Sequence, residues 1–291
     1  MCRDIVDHDL MALNTWEFSA LLGLGSLVTG IIGALTGLGG GFIVVPLLTL
    51  CFGVDIRYAI GASLICVIAT STGAAARYVR GGYPNIRLGM FLELATTGGA
   101  VLGAFLAPKV PTPVIGALCG VVLLYASLLT LRRTSEQVST AVPDRVAAWL
   151  DVDGEYPTSQ GAVSYRVRHV PEGFGVMGLA GMLSGLLGIG SGLIKVVALD
   201  QVMGLPFKVS ATTSSFMIGV TAAASAGVHL SRGYIDPALA MPVLLGVLAG
   251  ATLGARILPG APPRRLRLLF AGLLAAVAIE MLYTSATGRL Q

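Results

Sequence analysis

Long apolar runs alternate with short polar breaks along nearly the whole chain. They extend from about Trp16 to Phe52, Tyr58 to Ala76, Leu88 to Ala107 and Val114 to Leu131. The series then restarts at Phe174 to Met203, Val209 to Leu230, Pro237 to Leu258 and Leu266 to Tyr283. A helix crosses a bilayer in roughly 17–25 residues, which most of these runs supply. The pattern predicts an all-α polytopic membrane protein. The first run of each series poses a length problem. Trp16 to Phe52 would extend about 50 Å as one helix, against a hydrocarbon core of roughly 30 Å. Each of these long runs contains a glycine-rich phrase, Gly37-Leu38-Gly39-Gly40-Gly41-Phe42 and Gly188-Ile189-Gly190-Ser191-Gly192-Leu193. A first element that is broken or re-entrant at the glycines is therefore expected in each half.

The two phrases belong to a longer duplication. At an offset of 151, Gly30 to Ala104 aligns with Gly181 to Ala255 without a gap, and Ser63/Ser214, Gly82/Gly233, Tyr83/Tyr234 and Met90/Met241 are identical pairs. If each broken element returns the chain to its starting side, each half makes an odd number of full crossings. The second half is then inserted upside down, giving two inverted repeats. Cytoplasmic loops of membrane proteins are rich in Lys and Arg. The inverted scheme puts Arg3, Arg57, Lys109, Arg232 and Arg289 on one side and thirteen basic residues on the other, whereas a parallel scheme divides them eleven to seven. The expected organisation is a polar tail (1–14), a first transmembrane repeat (15–131), a cytoplasmic linker (132–171), a second repeat (172–285) and a short tail (286–291). Within the linker, Val163-Ser164-Tyr165-Arg166-Val167-Arg168 alternates and suggests a small hairpin or a segment lying on headgroups.

Composition narrows the class further. The chain is 55% hydrophobic and 12% charged, about half the charged share of a soluble domain. A net charge of +4 falls mainly in loops, where lipid headgroups and topology account for it and nucleic acid is not needed. Cys2, Cys51, Cys66 and Cys119 have neither metal-ligand nor disulfide-framework spacing. The opening residues lack the basic start and adjoining apolar core of a secretion signal. No nucleophile–base set, metal cluster or cofactor motif stands out, so neither an enzyme nor a cofactor is expected.

The glycine phrases are the first candidate site. A break inside a membrane leaves backbone N–H groups without helical partners, which is tolerable only where protein or an aqueous cavity meets them. A half-helix that begins at the break also turns its positive end toward an anion. Phe42-Ile43-Val44-Val45 and Leu193-Ile194-Lys195-Val196 would be the first turns of such half-helices. Close helix packing by small residues is the competing account. A nucleotide loop is excluded, because no lysine followed by serine or threonine comes directly after the glycines. Lys195 lies among apolar residues, while its counterpart is Val44. A lysine at that depth faces a cavity or a partner. It could attract an anion, neutralise Glu93, or snorkel to an interface. Ser63 and Cys66 share a helical face after the first break. Thr212, Thr213 and Ser214 follow the second and offer hydroxyl donors suited to oxyanions. Thr70 and Thr221 are the next positions on the same helices.

With its Gly37–Pro46 and Gly188–Lys195 phrases and its Arg80-Gly81-Gly82-Tyr83-Pro84-Asn85 and Ser231-Arg232-Gly233-Tyr234-Ile235-Asp236 turns, the chain resembles the TauE/SafE-like sulfite exporter family, also called the toluene-sulfonate uptake permease family. The resemblance implies a multi-pass carrier of the inner (cytoplasmic) membrane. Its cargo would be a small sulfur-containing or organic anion such as sulfite, a sulfonate or sulfoacetate, moved by alternating access. It also implies that Gly37, Gly39, Gly40 and Gly41 pair functionally with Gly188, Gly190, Ser191 and Gly192. Ser191 departs from a run of glycines and adds a hydroxyl, and Pro46 has no mate. Expected partners are the anion and membrane lipid, with a coupling proton or ion and a homodimeric assembly left open. An anion channel and a scaffold without transport activity are the alternatives.

Overall fold

The structure is a computed structural model that describes residues 15–36, 41–132, 145–158, 161–188, 190, 192–257 and 263–287. The first half comprises α1 (Thr15–Thr36), the short α2 (Gly41–Pro46) running into a π-helical turn (Leu47–Cys51), α3 (Ile56–Arg80), α4 (Ile86–Leu106) and α5 (Thr112–Arg132). Between the halves lie α6 (Arg145–Leu150) and an antiparallel hairpin of β1 (Gly154–Thr158) and β2 (Gly161–Tyr165). The second half comprises α7 (Val170–Leu187), α8 (Gly192–Val197) with its π-helical turn (Ala198–Val202), α9 (Phe207–Ser231), α10 (Pro237–Ile257) and α11 (Pro263–Ala286). The architecture is helical, with that one small hairpin among the described residues.

The duplication is visible in the fold. The elements α2, α3 and α4 and the first π-helical turn have the same bounds as α8, α9, α10 and the second turn once 151 is added. Beyond each π-helical turn the chain closes with the same bond: Val54 N–H donates to Leu48 O and Leu205 N–H to Leu199 O, both at 3.0 Å. Each broken first element therefore consists of a long helix and a half-helix. At 1.5 Å per residue, the stretch from Gly41 to Cys51 covers roughly half of a hydrocarbon core.

The halves interlock. Helix α1 packs along α10, its counterpart α7 packs along α4, and α3 packs on α9. The start of α3 meets the end of α9, where Tyr58 and Tyr234 rings cross edge to face at 6.0 Å. The end of α3 meets the start of α9, where Asn85 N–H donates to Thr213 Oγ1 at 2.9 Å. These two equivalent helices thus run antiparallel.

Three spans among the described residues, Ile56–Arg80, Ile86–Lys109 and Val170–Leu187, are long and apolar enough to cross a membrane. Leu24, Leu94, Leu102, Leu179, Leu245 and Ile279 are exposed on the outside of the bundle, as lipid-facing side chains would be. The interior is lined by two apolar clusters. One centres on α3 with Val44, Leu48 and Leu187, and the other joins Leu88 and Leu92 of α4 to Met177, Leu199 and Met217.

The second cluster also takes in Ala147, Val152, Tyr156 and Tyr165 of the connecting segment. The described part of the linker is therefore docked on the helices. Asn85 Nδ2 donates to Val152 O at 2.6 Å and to Tyr165 Oη at 3.0 Å, Arg87 pairs with Asp151, and Arg168 N–H donates to Met203 O at 3.1 Å. Burial holds the Tyr165 phenol above its ordinary pKa, against the Asn85 hydrogen bond and with Asp153 adding to the rise.

Backbone contact makes the α4–α7 seam unusually close. A Cβ on Gly181 would lie 2.0 Å from Thr96 O, and one on Gly30 would lie 2.3 Å from Val247 O in the equivalent α1–α10 seam. Gly98, on the same helix α4, has nothing within 4 Å of that position. Gly181→Ala should therefore destabilise the protein by about 1–3 kcal/mol through overpacking. Gly98→Ala should be neutral or gain up to about 1 kcal/mol from helix propensity. Thermal unfolding of both variants in the same detergent checks the difference.

Candidate functional site

The described ends of the two breaks meet on α3. Helix α7 stops at Gly188, whose left-handed backbone (φ 67°) closes the helix through an N–H bond to Ser184 O at 2.8 Å. Glycine is needed there, because a Cβ would add left-handed strain and sit 2.7 Å from Ile60 Cγ2. Stopping a helix frees its last carbonyls, and Ser63 meets one of them. Its Oγ is 2.8 Å from Gly188 O and 2.7 Å from Gly41 O at the start of α2, so one hydroxyl proton is shared between the two breaks. One turn further along α3, Val67 lies against both Gly41 and Gly190. The bond from Ser63 to Gly41 O recurs at the repeat offset, where Ser214 Oγ donates to Gly192 O at 3.1 Å.

The other predicted residues divide. Gly192 opens α8, and Gly190 sits between α3 and α9 beside Ile218. Gly37, Gly39, Gly40 and Ser191 lie outside the described residues. Cys66 is fully buried on α3, one turn from Ser63. The Thr212 hydroxyl bonds back to Lys208 O and Val209 O of its own helix. Thr213 accepts from Asn85 and anchors the turn between α3 and α4. These two hydroxyls are directed away from the breaks, whereas Ser63 and Ser214 are directed at them.

Lys195 is in the first turn of α8 and its side chain is fully buried. Of the alternatives open to it, the structure places it beside Glu93 of α4. Nζ lies 3.9 Å from Glu93 Oε2 and donates to Thr221 Oγ1 of α9. Thr221 donates in turn to Glu93 Oε1 at 2.6 Å, and Thr97 Oγ1 donates to the same oxygen at 3.0 Å. Thr96 Oγ1 is 3.5 Å from Thr221 Oγ1. Three helices thus each supply one member of a buried polar chain running from ammonium to hydroxyl to carboxylate. The threonines on α4 were not singled out from sequence, although Thr96 and Thr97 stand three and four residues after Glu93 and share its helical face.

The family described as sulfite exporter TauE/SafE matches residues 22–281, which spans both breaks, α3, α9 and the Lys195–Glu93 chain. The protein belongs to the sulfite exporter TauE/SafE family. It is a membrane transporter of that family. The chain is similar to a probable membrane transporter protein, YunE, of Bacillus subtilis, with 28% identity over 249 residues, 83% of this chain and 88% of that protein. It is also similar to YdhB of Bacillus subtilis, a probable membrane transporter protein, with 28% identity over 229 residues, 78% of this chain and 85% of that protein. An archaeal relative, the probable membrane transporter protein MJ0441 of Methanocaldococcus jannaschii, is 23% identical over 286 residues, 92% of this chain and 97% of its own length. No solved structure matches the chain.

The hydrogen bonds of Ser63 and Thr212 give these residues distinct stability roles. Ser63→Ala strips a buried carbonyl of its donor and should cost about 1–3 kcal/mol. Thr212→Val removes a hydroxyl that only backs onto its own helix and should stay within about 0.5 kcal/mol of wild type. Parallel melts in detergent test this contrast.

Proposed function

We propose that this protein is a secondary transporter of small sulfur-containing or organic oxyanions, of the sulfite, sulfonate or sulfoacetate kind, working by alternating access. The observation that carries the reading is the sharing of Ser63 between Gly41 and Gly188. It brings two helix interruptions from duplicated halves to one place inside an apolar bundle. Interrupted segments in matching positions of two repeats are where secondary transporters hold their cargo. A soluble enzyme has no use for such a pair, and the protein is read as a carrier without catalytic chemistry.

In this reading the halves are inserted in opposite senses. The antiparallel course of α3 and α9 and the uneven distribution of basic residues both support it. The side richer in Arg and Lys faces the cytoplasm, and the membrane is the inner one. The anion would lie next to the breaks, with backbone N–H groups and Ser214 in reach and Lys195 supplying charge. Hydroxyl and amide donors suit an oxyanion, since they turn toward oxygen without adding net charge. Lys195 stands at the base of this site and neutralises Glu93 when no anion is present.

The reading is tested with purified protein. Thermal stabilisation and liposome flux are measured with sulfite, methanesulfonate, sulfoacetate and acetate, and saturable flux with counter-transport is expected for at least one sulfur oxyanion. A conducting pore without counter-transport, or no flux at all, would replace the carrier by a channel or a scaffold. Lys195→Ala should weaken binding of the transported anion by about tenfold or more, the value of a charge-assisted contact. Lys109→Ala, at an exposed site beyond α4, should leave it unchanged.

A further inference from the structure

The Lys195–Glu93 pair is incomplete as an ion pair. Glu93 Oε1 accepts from Thr221 and Thr97, but Oε2 is buried and accepts no hydrogen bond. Lys195 Nζ, 3.9 Å from it, is beyond hydrogen-bond range and gives its proton to Thr221 instead. A carboxylate oxygen kept dry without a donor is held at a cost, and Oε2 is left open to a donor. A metal cation is a poor occupant, because the Lys195 ammonium 3.9 Å away repels it in a medium of low dielectric.

The repeat supplies a second, independent argument. The first half builds the same elements with Val44 at the Lys195 position and Leu244 of the second half stands at the Glu93 position, while Thr70 matches Thr221. The fold of a half does not require the charges. They are confined to one place, where α8, α4 and α9 meet beside the second break.

We propose that Glu93 is a proton-binding group whose protonation at Oε2 releases Lys195 to a monovalent oxyanion, so that one proton and one anion enter and leave together. This rests on the anion-carrier reading above. Lys195 with ionised Glu93 carries no net charge, and Lys195 with neutral Glu93 and a monoanion again carries none. Either event alone would leave a net charge in the dry interior, which is strongly penalised. In the proton step an O–H bond forms on Glu93, and no bond to the anion is made or broken. Lys195 keeps two further N–H donors for the anion beyond the one given to Thr221.

Other titratable groups on the packed elements have partners of their own or lie outside the bundle. On α9, His229 bonds Ser225 O and Lys208 is exposed. Glu172 of α7 pairs with His169, and Arg87 of α4 pairs with Asp151. Among the described residues, Lys195 is the charged group facing Glu93.

The test uses the full chain in phosphatidylethanolamine–phosphatidylglycerol vesicles with methanesulfonate, which stays a monoanion at all relevant pH, so that any pH dependence belongs to the protein. Wild type should bind it about tenfold more weakly per pH unit once Glu93 is ionised, as linkage of one proton to one anion requires. An inward proton gradient should drive accumulation with one proton per anion. In Glu93→Gln, affinity should change less than about twofold between about pH 5 and about pH 6.5, and the gradient should accumulate no probe. Wild-type pH slope and gradient-driven accumulation in Glu93→Gln would overturn the inference. If that variant does not fold, Lys195→Val with Glu93→Leu, which copies the other half's residues, is read in its place. Methanesulfonate binding there that no longer changes with pH supports the inference, and a wild-type slope overturns it. Wild type that neither binds nor carries methanesulfonate would instead defeat the carrier reading for sulfonates.

Discussion

A helix that ends inside an apolar bundle leaves carbonyls and amides that no water can meet, and these groups decide what must surround the break. Here Ser63 meets both ends at once, with Gly188 O and Gly41 O in reach of one hydroxyl. That sharing draws α3 against the two interruptions. Ser214 holds the start of α8 from α9 in the same way, and Lys195 on that half-helix lies beside Glu93 of α4. The positions of the polar groups follow from the need to satisfy a broken backbone, and the charged chain is built on that scaffold.

Two kinds of polarity are therefore buried, and they do different work. Ser63, Ser214 and Thr213 satisfy backbone groups and fix geometry. Lys195, Thr221 and Glu93 hold opposite charges apart by one hydroxyl. Removing either charge from such a pair is costly, while replacing both together is much less so. A fully bonded salt bridge would be a lock. This one leaves Oε2 unbonded, and so it can change partners.

The repeat could be read from the amino-acid order because 151 residues separate like from like without a gap, and the helix bounds keep that register. The breaks were legible for the same reason: glycine phrases interrupt runs that are too long to cross once. Lys195 and Glu93 stood out because each is a charge in apolar surroundings. What could not be read was which hydroxyls turn toward whom. Thr212 and Ser214 are two residues apart on one helix, yet one backs onto its own turn and the other reaches Gly192. Local spacing does not distinguish them, since the choice depends on a neighbouring helix distant in sequence. The docking of the connecting hairpin was hidden likewise, because Asn85, Val152 and Tyr165 come together only in three dimensions.

The interlocking of α1 with α10 and of α7 with α4 bears on how the protein is made. Each half lends its first helix to the other, so neither seam can close from residues of one half. As the chain leaves the ribosome, α4 must wait in the bilayer with its close-contact face uncovered until α7 is synthesised, and α1 waits longer still for α10. Biogenesis is thus completed late and across halves, and an insertion intermediate holding only the first half carries bare backbone-lined grooves that its own later partner is shaped to fill.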